Sequence, residues 1–150
     1  MVGGITYAGR PSPYWYDGDA FFELLQAAGD RPVRSLIEGL DGCSGAKAGR
    51  IAASYRNIGC NRLSREDAAS LLMSARSEAR PVRPERLGAV GQPPHLPSAY
   101  VCSRGGFEYG GREPRAILPF AVEVWVEADR DRDDRIDAFC TSRRKGRSRR

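Results

Sequence analysis

Seven of the ten prolines in this 150-residue chain fall between Pro81 and Pro119. Proline donates no backbone hydrogen bond and biases the residue before it toward extended backbone, so helical order must end where this stretch begins. The two sides of it differ in period. Before it, apolar residues recur at intervals of three and four; after it, Phe120, Val122, Val124 and Val126 alternate with Glu123, Trp125 and Glu127 as on the two faces of a strand. The predicted fold class is α+β, a helical part followed by a sheet.

Within the helical part, Asp17 or Asp19 can cap a helix over residues 20–28 that Gly29 stops. Asp30 is the expected cap of the next, in which Pro32 occupies the first turn and Val33, Leu36, Ile37 and Leu40 share a face. Ser44 is the expected start of a third, whose small residues (Gly45, Ala46, Ala48, Gly49) permit close approach of a neighbour. The strongest cap is Ser64, followed by Glu66 and Asp67 in the first turn of a helix through Arg76, with Leu63 placed to pack on Ala68 or Leu71. Residues 1–13 carry three glycines and two prolines and no apolar period, which predicts a linker. Past the prolines, Tyr100–Cys102 and Phe107–Tyr109 read as short strands around Gly105-Gly106. Ile136, Ala138 and Cys140 read as a partner strand whose pattern stops after Phe139.

Charge is concentrated at one end. The chain carries 24 Lys+Arg against 19 Asp+Glu, but residues 143–150 hold six cations and no acid, which leaves 18 against 19 elsewhere. Of the 24 cations 22 are arginine, which in an Ala- and Gly-rich chain reflects GC-rich coding as readily as phosphate contacts. The longest uncharged apolar run, Ala116 to Val122, spans seven residues and contains Pro119. A spanning helix needs about 20, so no membrane partner is expected. Met1 to Tyr7 lack the basic start and apolar core of a secretory signal, so a cytoplasmic location is expected.

Catalytic and metal signatures are weak. Cys43, Cys60, Cys102 and Cys140 are 17, 42 and 38 positions apart with no C-x-x-C pair, and His95 is the single histidine. These read as small buried hydrophobes and a loop residue, not as a zinc site. Asp129, Asp131 and Asp133 begin a calcium-loop pattern that fails at Asp134, where glycine is required, and at Cys140, where a glutamate is. No phosphate-binding loop of the G-x-x-x-x-G-K-S/T type is present. The residues best suited to a ligand are Ser44, Gly45, Lys47 and Arg50, where helix amides and two cations could meet a phosphate, together with Arg143, Arg144, Lys145 and Arg147 of the basic tail. Ser44 as a plain cap and solvated Lys47 and Arg50 explain the same letters.

Taken in order, the turn Gly42-Cys43-Ser44-Gly45-Ala46-Lys47, the capped Leu63-Ser64-Arg65-Glu66-Asp67-Ala68, the Pro-rich Arg80 to Gly91 and the strand Leu118-Pro119-Phe120-Ala121-Val122-Glu123-Val124 resemble the B subunit of DNA topoisomerase VI and its bacterial ATP-binding relatives. The resemblance covers residues 14–139. It implies a helix-two-turn-helix domain over 14–95 and the start of a transducer-type sheet over 96–139; outside it, the basic run predicts a disordered tail over 140–150. The family's ATPase domain would precede residue 14, and its next strand carries an Asn-Arg pair where this chain has Cys140-Thr141-Ser142. The expectation is therefore a non-catalytic remnant, inactive alone, with ATP and magnesium belonging only to full-length relatives, with DNA as partner, and with a topoisomerase A-like subunit as partner if full length. The alternative is a small basic nucleic-acid-binding accessory protein.

Overall fold

The computed structural model describes residues 7–89, 99–111, 113–128 and 136–142, the last seven and Ala128 by their backbone. It is α+β. Ala8–Val82 with Phe107–Leu118 form one compact unit; the described residues of Met1–Tyr7, Arg83–Gly106 and Pro119–Arg150 form the other. The helical unit thus takes in 107–118, which the sequence reading grouped with the sheet.

Four helices build the first unit: α1 (Gly18–Ala27), α2 (Val33–Ile37), α3 (Ala46–Ile51) and α4 (Arg65–Glu78). Asp17 caps α1 by accepting from the Ala20 N–H at 2.7 Å. Ser64 and Asp67 form a reciprocal capping box at the start of α4, as Ser followed by an acid three residues on implies. Phe21 and Leu25 of α1 pack with Leu71, Leu72 and Ala75 of α4 in one buried cluster, joined by Val33, Leu36, Ile37 and Leu40. The expected face of α2 is therefore buried, although the helix itself is only five residues long. Leu40 reaches the core from the turn that follows, where its N–H donates to the Ile37 carbonyl at 3.0 Å.

Two expected caps are replaced. Asp30 does not cap α2: Pro32 is the N-cap and pairs with Gly59 in an isolated antiparallel bridge, with the Cys60 N–H on the Arg31 carbonyl and the Val33 N–H on the Ile58 carbonyl. A distant segment, not a local side chain, satisfies this helix start. Nor does Ser44 cap α3. The N-cap is Gly45 at φ +62°, a left-handed conformation that costs glycine little and that leaves Ser44 one position too early. The last residues before the first turn also belong to this unit: Ser12 and Pro13 are buried, and the Asp41 N–H donates to the Pro11 carbonyl at 2.9 Å.

A turn of 3-10 helix at Pro84–Leu87 precedes a three-stranded sheet of order β1 (Ala99–Tyr109), β2 (Ala116–Ala128), β3 (Ile136–Ser142), most of which lies in the second unit while residues 107–109 and 116–118 are counted with the helical one. β2 and β3 are antiparallel, with Val124 opposite Cys140 and Trp125 opposite Phe139, and β3 runs on to Ser142. The two short strands expected around Gly105-Gly106 are one continuous strand. A Cβ at Gly105 would lie 2.7 Å from the Phe120 ring, so glycine here makes room for a neighbour instead of breaking the strand.

Candidate nucleic-acid interface

Ser44 and Gly45 lie exposed on the turn into α3. Lys47 and Arg50, three residues and so nearly one turn apart on α3, both reach the end of α4. The Lys47 ammonium donates to the Glu78 carbonyl, and Arg50 donates through Nε and Nη2 to the two carboxylate oxygens of Glu78 at 3.2 and 2.8 Å. Glu78 is the last residue of α4, where carbonyls lack intrahelical partners and cations are favoured. Its carboxyl is held below the usual carboxylate range, first by the hydrogen bond from Arg50, and the same bond raises the guanidinium. The two candidate phosphate ligands are thus occupied in bracing α3 against α4, and a phosphate would have to compete with Glu78 for Arg50. Arg143, Arg144, Lys145 and Arg147 lie outside the described residues, as do His95, Asp129, Asp131 and Asp133.

The neighbouring groove, of about 590 Å³, runs between α2, α3 and the turn through Ile58. Its floor is Val33, Ala52 and Ile58, and its rim mixes Arg34 and Arg56 with Asp30. Arg34 pairs with Glu38 one helical turn on at 3.1 Å. The rim therefore carries both signs and selects no one charge class by itself.

Sequence reasoning passed over two polar residues with larger structural roles. Arg76, in the last turn of α4, donates from Nη2 to the carbonyls of Tyr16 and Arg115 at 2.7 Å each and from Nε to that of Pro13 at 3.4 Å. Its guanidinium also sits 5.4 Å from the Tyr14 ring centroid, and burial lowers its pKa. Nothing in the local sequence separates it from an ordinary solvated helix-end cation. Glu123 is the second: it stands on the polar side of the alternating strand yet is 2% exposed, and it accepts from the Tyr100 phenol at 3.0 Å. Burial and then this carboxylate push the phenol pKa up to about 12.

Two of the thiols are not poised for chemistry. Cys43 and Cys60 are buried and unbridged, and burial pushes the Cys43 thiol up to about 11 and raises Cys60 despite Arg31 nearby. Among the described residues no three His, Cys, Asp or Glu side chains gather to hold a metal, and no helix is long and apolar enough to cross a membrane. Compared with the models of known families, with characterised proteins and with solved structures, the chain matches none.

Proposed function

We propose that the chain belongs to a type IIB DNA topoisomerase B-like subunit, with a helix-two-turn-helix module joined to strands of a transducer-type sheet. The observation that supports this reading is a succession of motifs on a matching succession of elements. The Gly42–Lys47 turn leads into α3, the Ser64 capping box opens α4, prolines end the helices, and Leu118–Val124 falls within β2, the middle strand of the sheet. On this reading residues 1–150 hydrolyse no ATP by themselves, since they carry no phosphate-binding loop of the G-x-x-x-x-G-K-S/T type. Its partner is DNA and, for a full-length protein, a topoisomerase A-like subunit.

The test has two arms. Purified protein incubated with ATP and magnesium is expected to give no nucleotide-saturable phosphate release and no ATP-dependent association; saturable turnover above a mock preparation would overturn the reading. Coding DNA on the two sides should contain an ATPase-like reading frame upstream and an Asn-Arg strand in another frame downstream. Flanks without either would remove its support. A second reading, a basic nucleic-acid-binding accessory protein, is favoured by the six cations of residues 143–150, since the rest of the chain is nearly neutral.

A further inference from the structure

Tyr100, Val101, Phe107 and Tyr109, at 37, 60, 45 and 51% exposure, are four of the five exposed large hydrophobic side chains among the described residues, and all four lie on β1. This strand stands at one end of the sheet order, so its outer edge faces no other strand among the described residues. It runs for 11 residues without the proline or lysine that commonly blunts an edge. Such an edge is a template for pairing with another chain. Its charges indicate which chain.

Arg104 and Glu108 are its only charged residues. Both are exposed, and four positions apart they share a face of the strand roughly 13 Å from each other, too far to pair within one copy. Neither joins an ion pair among the described residues; Arg104 donates a long bond of 3.4 Å to the Gly88 carbonyl. We propose that β1 pairs antiparallel with β1 of a second copy about a two-fold axis at Gly106. In that register Arg104 stands opposite Glu108 of the other copy and Glu108 opposite its Arg104, so one self-complementary contact forms two ion pairs. On the other face Gly105 stands opposite Phe107, and Val101, Phe107 and Tyr109 of both copies line one apolar strip. A slip of one residue sets Arg104 opposite Phe107 and separates both charge pairs.

The inference is independent of the topoisomerase reading, because the association needs no nucleotide. Sedimentation of the full chain without ATP should show a monomer–dimer equilibrium. Arg104→Glu and Glu108→Arg, each of which sets like charges opposite one another twice, should each raise the dimer Kd about tenfold. The double exchange should restore it to within about threefold. A chain that stays monomeric to about 200 µM, a dimer that neither single exchange weakens, or single losses that the double exchange does not repair would each overturn the proposal. Should the single exchanges fail to fold by circular dichroism, Arg104→Lys keeps the charge. Carbodiimide treatment of mixed light and heavy isotope copies of that variant should join the new amine to Glu108 of the other copy. Absence of that mixed link from a sample that is dimeric would overturn the register.

Discussion

Arg76 does at one point of the helical unit what apolar packing cannot. The carbonyls of Pro13, Tyr16 and Arg115 come from two separate stretches of chain, and the fork of one guanidinium meets all three while its own backbone carbonyl accepts from the Tyr14 phenol at 2.9 Å. Hydrogen bonds to a charged donor are worth more than neutral ones, and losing the donor leaves the carbonyls to find water. Arg76→Met should cost about 2–3 kcal/mol in urea unfolding, and Arg76→Lys should recover little of it, because an ammonium cannot span the fork. Ser64 supplies a test with a pH signature. Hydrogen bonds from its side chain and backbone hold the Asp67 carboxyl below the usual range. A depressed carboxylate contributes stability above its unfolded pKa of about 3.9, and that contribution is lost as pH falls through the lower folded value. Ser64→Ala should cost about 1 kcal/mol at neutral pH, and the gap between variant and parent should narrow as pH falls below about 4. Denaturant titrations at two pH values measure both.

Among the elements, α1 and α4 were legible because everything that defines them is local. Asp17 and Ser64 stand next to the amides they cap, and each helix carries its apolar face within its own letters. The starts of α2 and α3 were not legible, since one depends on Gly59 across the fold and the other on a left-handed Gly45 that the sequence offers as only one of several turn residues. The glycine pair in β1 misled for a related reason: Gly105 reads as a break until the Phe120 ring beside it is known. The candidate ligand pair was visible as two cations on a short helix, but their partner Glu78 lies 28 and 31 residues further on, beyond any local pattern. Elements also differ in how firmly they are held. Except for Ala116, every buried hydrophobic residue among those described lies between Phe21 and Val82. Amides of α1 and α4 should therefore exchange slowest, and those of β1 and β2 should exchange far faster, as hydrogen exchange read by mass spectrometry would resolve. Equal protection would mean that the sheet is covered by something other than the described residues.

For the whole molecule, the distribution of charge decides what it can attract. Eighteen cations against 19 acids before residue 143 offer duplex DNA no general field, and the two best-placed of those cations are already compensated by Glu78. Six cations in the last eight residues are the remaining source of attraction. Binding through them has a definite form. Each phosphate neutralised releases condensed counterions, so log K falls with log salt by about 0.9 per contact, and six contacts bound the slope near −5. Duplex affinity should be independent of base sequence, should fall along such a slope, and should nearly vanish when residues 143–150 are deleted. Lys47→Ala with Arg50→Ala should change it little, because those side chains spend their charge on α4. The opposite pattern, a loss of about tenfold from the double substitution with most affinity surviving the deletion, would move the contact to the α3 turn. It would also require Glu78 to release Arg50 on binding. Glu78→Gln would then tighten binding by freeing that guanidinium, whereas in the tail-dominated case it would leave affinity where it was.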